Sequence, residues 1–177
     1  MSLEKNICEI VVEALEEFYK HDLDLLIKPY EITISAKIGM HLHSLLITRA
    51  QFERFHVDCE YYRAAMDKKV ASSSCPHDTM RPDIIIHHRA LLGQRYDSRE
   101  DNLLFCEVKI HNIDENDEQK IECALNEYQY VWGLSIHNID KRGVTLRWVQ
   151  KGQKADDNAL DVVYQWNPNN NKLEVKR

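Results

Sequence analysis

Three patterns in the chain predict an α/β fold with a mixed β-sheet flanked by α-helices. Apolar residues recur at the helical period of 3.6 in three segments, runs of strand length lie between them, and turn-forming residues cluster in the connections. Only five glycines and four prolines punctuate the 177 residues, and no Ser/Gly-rich or Pro-rich linker divides them. Residues 1–177 therefore read as one domain without internal repeats.

The elements follow in order. Ile7, Ile10, Val11, Ala14, Leu15, Phe18 and Tyr19 share one face of an amphipathic helix. A second helix begins after Pro29. It carries Ile34, Ile38, Leu42, Leu45 and Leu46 on one stripe and Glu31 in its first turn, where a carboxylate suits the helix dipole. Over residues 56–63 the period changes to two, with Val57, Cys59 and Tyr61 on one side and His56, Asp58, Glu60 and Tyr62 on the other. Residues 64–79 are polar, hold Ser72, Ser73 and Ser74, and read as a loop. Residues 83–87, after Pro82, and 103–110 are apolar strands, and the polar stretch 93–102 suits the connection of an antiparallel hairpin. Ile121, Ala124, Leu125, Tyr128 and Val131 predict a third helix ending near Gly133. Two further hairpins are expected: residues 134–138 with 144–150 around an Asp140-Lys141-Arg142-Gly143 turn, and 162–166 with 173–175 around Asn167-Pro168-Asn169-Asn170-Asn171.

Composition narrows the function classes. No apolar run approaches the roughly 18 residues of a membrane span, and residues 1–9 lack a basic region followed by an apolar stretch, so a cytoplasmic protein without a membrane partner is expected. The five cysteines are odd in number, widely spaced and free of C-x-x-C pairs, which favours reduced, buried thiols over a disulfide framework. None of the nine histidines has zinc-ligand spacing. Neither a Gly-rich phosphate loop nor a G-x-S-x-G elbow is present. The formal charge of −6 argues against coating nucleic acid by bulk charge and leaves a local groove open.

The chemistry concentrates in Leu103-Leu104-Phe105-Cys106-Glu107-Val108-Lys109-Ile110. Strand geometry puts Glu107 and Lys109 on one face, about 7 Å apart. If residues 83–87 pair with this strand as a hairpin, Asp83 comes beside both. Two carboxylates that close repel unless a cation lies between them, and Mg²⁺ or Mn²⁺ suits such oxygen ligands.

Pro82-Asp83 and Glu107-Val108-Lys109 resemble the name motif of the PD-(D/E)xK nuclease superfamily, which has the restriction-endonuclease-like fold. A group of small bacterial proteins of unassigned function in that superfamily carries V-D-x-E-Y, then R-P-D-I-I-x-H, then an apolar run ending in E-x-K. Here these are Val57-Asp58-Cys59-Glu60-Tyr61, Arg81-Pro82-Asp83-Ile84-Ile85-Ile86-His87, and Leu103 through Lys109. The resemblance covers roughly residues 5–140. It implies a restriction-endonuclease-like core and metal-dependent phosphodiester hydrolysis, with DNA as the favoured nucleic acid. It also implies that Asp83, Glu107 and the backbone carbonyl of Val108 hold the metal, that Lys109 assists the attacking water, and that Glu31 binds a second metal or orients a water. Nucleases of this kind often dimerise to cut both strands, so a homodimer is compatible with it.

Each signal also has a plainer account. Glu107 and Lys109 could form a structural ion pair, and Glu31 could serve the helix dipole alone. Glu60 shares a strand face with Asp58 and is either solvated or a supporting site residue. His87 shares the face of Asp83 and Ile85 and could line the cleft. Arg81, Arg89 and Arg95 could contact phosphate or lie on the surface, and Lys120 reads as part of a solvated helix face ahead of a phosphate contact. The alternative function is a non-catalytic module, binding nucleic acid or protein, on a nuclease fold with a retained acidic site. Glu31, Asp83 and Glu107 account for half of the net charge, so the acidity predicts weak, salt-sensitive, metal-dependent substrate binding.

Overall fold

A computed structural model describes residues 3–60, 63–64, 67–68, 81–89, 102–150 and 161–176. It is an α/β structure in which a seven-stranded mixed sheet is flanked by helices on both faces. Helices α1 (Leu3–His21) and α2 (Glu31–Leu46) precede strand β1 (Phe55–Cys59). Two-residue strands β2 (Arg63–Ala64) and β3 (Asp67–Lys68) pair with each other where the expected strand 56–63 gives way to the expected loop 64–79, the rest of which lies outside the described residues. Then come β4 (Ile84–His88), β5 (Asn102–Val108), α3 (Glu115–Glu127), β6 (Trp132–Asp140), β7 (Gly143–Gln150), β8 (Asp161–Asn167) and β9 (Lys172–Val175). Residues 90–101, with Arg95 and most of the expected hairpin connection, also lie outside the described residues.

The sheet order is β1-β4-β5-β6-β7-β8-β9. Its pairings are antiparallel except β5 with β6, where Glu107 faces Ser135 in parallel register. Parallel neighbours need a crossover, which α3 provides. The β4–β5 hairpin forms in the register Ile84↔Cys106, as the two apolar runs predict. The β6–β7 and β8–β9 hairpins form around the expected turns.

Alternation along the strands sorts two cores. Ile84, Ile86, Leu104, Cys106, Val108, Leu134 and Ile136 pack with α1 and α2, while Ile85, Phe105 and Val149 pack with Ile121, Ala124 and Leu125 of α3. At Gly39 of α2, an added Cβ would overlap the Cys59 sulfur, so the missing side chain sets how closely α2 approaches β1. The C-terminal hairpin is tied to α1. Glu16, 8% exposed, accepts from Leu173 N–H at 3.0 Å and Lys172 Nζ at 2.7 Å, and Tyr19 stacks on Trp166 with ring centroids 5.3 Å apart.

Helix α3 departs from its expected boundary. It stops at Glu127, and Gly133 lies in β6. Gln129 adopts φ 58°, a left-handed turn that closes the helix, and Trp132 then begins the ladder opposite Leu104. Cys59 and Cys106 carry free thiols, whereas Cys123 of α3 is disulfide-bonded, contrary to the expectation of reduced thiols. Among the described residues no helix is long and apolar enough to cross a membrane.

Candidate functional site

The β4–β5 register alone brings Asp83 to Glu107. Asp83 precedes β4 directly, and its Oδ2 accepts the Val108 N–H at 2.7 Å, which aims the carboxylate along the end of β5. Glu107 lies on the α3 face of β5, 1% exposed. Its Oε2 is 3.1 Å from Lys120 Nζ, and its buried Oε1 has no hydrogen-bond partner. Burial, then the neighbouring Asp83 charge, push the Glu107 carboxyl up to about 8, against the pull of Lys120. Asp83 is likewise raised by burial, although the Val108 N–H and the charges of Lys109 and Lys120 act the other way.

Glu31, the first residue of α2, comes from the helix layer on the other face of the sheet from α3. Its Oε1 accepts from Ile110 N–H at 3.3 Å, and its Oε2 lies 3.8 Å from Lys109 Nζ. Asp83, Glu107, Lys109, Val108 and Glu31 are thus gathered at one end of β5. Val108 contributes through its main chain, since its side chain is buried in the α1–α2 core.

Two further residues belong to this group. Asp117 of α3 is 3% exposed and places Oδ1 3.1 Å from Lys120 Nζ and Oδ2 3.4 Å from Lys109 Nζ. Its N–H is taken by Asp114 Oδ1 at 3.0 Å, the N-cap of α3, which fixes the first turn over the sheet. Lys120, expected on a solvated helix face, instead turns onto Glu107. The sequence does hold a signal for this: Asp117, Lys120, Ile121 and Ala124 share one helical stripe, so Asp117 extends the apolar face that docks α3. Burial alone would lower both lysines, but Asp117 and Glu31 outweigh it at Lys109, and Glu107 and Asp117 do so at Lys120, so both ammonium groups are held above their ordinary value.

Glu60 and His87 are placed differently. Glu60 N–H bonds to the Asp83 carbonyl at 3.1 Å, but its carboxylate pairs with Arg81. His87 does share the face of Ile85, and its Nε2 lies 2.7 Å from Asp58 Oδ2, where Arg89 also pairs with Asp58. Burial opposes ionisation of Asp58, yet the hydrogen bonds from His87 and Arg89 keep its carboxyl well below the usual range. This cluster, buried at His87 and open to solvent at Arg89, ties β1 to β4 two positions beyond Ile85.

Among the described residues no three His, Cys, Asp or Glu side chains converge as a ready-made metal cage. With all groups ionised, the four carboxylates Glu31, Asp83, Glu107 and Asp117 face two ammonium groups, leaving two negative charges uncompensated. Comparison of the chain with protein-family models, with curated proteins and with solved structures returns no match.

Proposed function

We propose that the chain is a Mg²⁺- or Mn²⁺-dependent phosphodiester hydrolase of the PD-(D/E)xK kind, acting on nucleic acid with DNA ahead of RNA. The observation that carries this reading is the Glu107 carboxylate. A buried oxygen without a partner beside a second carboxylate is costly, and it fits a hard cation that takes carboxylate oxygens. The succession of α2, the antiparallel β1, β4 and β5, the α3 crossover and the parallel β6 supports a restriction-endonuclease-like core.

Asp83 and Glu107, with the Val108 carbonyl, would hold the ion, which when bound supplies Lewis-acid polarisation of a phosphate and lowers the pKa of water. Lys109, anchored by Asp117 and Glu31, would orient the attacking water and offset charge developing on the phosphorus oxygens. Glu31, 3.8 Å from Lys109 Nζ, would hold a second ion or a water.

The engagement of both lysines with carboxylates favours one second reading, a binding module whose site is an ion-pair network without turnover. A cleavage screen with single-stranded, double-stranded and branched DNA and RNA in Mg²⁺ or Mn²⁺ separates the two. We expect metal-dependent cleavage that falls by about 10²-fold or more in Lys109→Ala and Asp83→Asn. Equal activity in wild type and Lys109→Ala overturns the catalytic assignment. Metal-dependent thermal stabilisation lost in Asp83→Asn, without cleavage of any substrate, supports the binding module.

A further inference from the structure

Glu107 already has a cation in this fold. Lys120 Nζ lies 3.1 Å from Glu107 Oε2 and 3.1 Å from Asp117 Oδ1, so one ammonium bridges the strand carboxylate and the helix carboxylate. Asp117 in turn reaches Lys109 through its other oxygen. The Lys120 side chain is 24% exposed, against 1% for Glu107 and 4% for Asp117, so the ammonium enters from the solvent side. Glu107 Oε1, buried, makes no hydrogen bond, so Lys120 leaves the Glu107 carboxylate incompletely satisfied.

We propose that Lys120 is an internal counter-ion that a divalent cation displaces from Glu107, so that metal loading exchanges Lys120 from the strand carboxylate onto Asp117 alone. The inference rests on the metal-dependent reading of the site. Its physical basis is competition for the same oxygen. An ammonium 3.1 Å from Oε2 uses that lone pair and repels an incoming dication, whereas a dication satisfies Oε2 and the unpartnered Oε1 together. Asp117 makes the exchange reversible. It lies three residues before Lys120 on α3, within one helical turn, so this pair persists whether or not Glu107 is released. Lys109 is not part of the exchange, because Asp117 and Glu31 hold it from outside the Asp83–Glu107 pair.

The test uses the full chain, Mn²⁺ as the probe, and two readouts other than cleavage. Crystal structures of the wild type with and without Mn²⁺ should show the ion on Asp83 and Glu107, with Lys120 Nζ beyond hydrogen-bond reach of Glu107 and still on Asp117. Calorimetric titration of Lys120→Arg should show Mn²⁺ binding weakened about tenfold, because a guanidinium fork holds both carboxylate oxygens and is harder to displace than an ammonium. A purely structural role for Lys120 is preserved by arginine and leaves the affinity unchanged. Mn²⁺ seated on Glu107 with Lys120 still bound to it, or unchanged affinity in Lys120→Arg, overturns the exchange while the metal-dependent reading stands. Absence of Mn²⁺ binding to the wild type overturns both.

Discussion

Glu107→Gln should stabilise the metal-free protein at pH 9 and leave it almost unchanged at pH 4. Burial and the adjacent Asp83 raise the Glu107 carboxyl from 4.5 to about 8, so the folded chain holds this proton over a range in which the unfolded chain has released it. The sign follows by linkage. Below pH 4.5 the group is protonated in both states; between 4.5 and about 8 folding stability declines as pH rises; above about 8 the full cost of a buried carboxylate is present. At about 1.36 kcal/mol per pH unit the interval corresponds to about 5 kcal/mol, a ceiling because neighbouring groups readjust. Glutamine keeps the shape and an oxygen for Lys120 but carries no charge. With a urea slope of about 2 kcal/mol per molar, the midpoint difference between variant and wild type should open from near zero at pH 4 to as much as about 2.5 M at pH 9. The assay is urea unfolding followed by tryptophan fluorescence in EDTA at pH 4, 7 and 9. A variant no more stable than wild type at pH 9 would show that Lys120 compensates Glu107 fully and that its carboxylate is not a strained group awaiting a cation.

Asp58→Asn should lower stability by about 1–3 kcal/mol at neutral pH, since buried His87 and the Arg89 guanidinium lose a charged acceptor. Because Asp58 is held well below the usual carboxylate range, this deficit should shrink as pH falls through acid, while calorimetric Mn²⁺ binding stays at the wild-type value. Gly133→Ala should destabilise by about 1–3 kcal/mol, because the new Cβ would overlap Ile121 Cγ2, and by lifting α3 from β6 it should also weaken Mn²⁺ binding. Glu16→Ala should cost about 1–3 kcal/mol by leaving the Leu173 N–H unpaired, and limited proteolysis should then cut the β8–β9 hairpin faster.

Asp83, Glu107 and Lys109 were legible because their juxtaposition needs only local order: two adjacent apolar strands, an antiparallel pairing and the two-residue alternation. Glu31 was reachable through its place at a helix start, although Ile110, the main-chain group it contacts, lies 79 residues away. Lys120 lies elsewhere than expected, and Asp117 goes unnoticed in the sequence, because a helix pattern identifies an apolar stripe and not what lies beneath its polar border. The docking of α3 on the sheet, with Ile121 close against Gly133, puts that border over Glu107. His87 shows the same limit from the strand side. Alternation gives its face correctly, but its partner Asp58 follows from the β1–β4 register.

By itself the sequence determined the α/β class, the hairpins on either side of the α3 crossover and the carboxylate pair at the end of β5, because periodicity and short connections are encoded in neighbouring residues. The tertiary structure alone decided which charges meet across elements: Lys120 with Glu107, Asp117 with both lysines, Glu31 with the end of β5, and Glu16 with a hairpin more than 150 residues away. Electrostatic energy in a buried site depends on separations of a few ångströms and on exclusion of water, and neither exists until helices and sheet have docked.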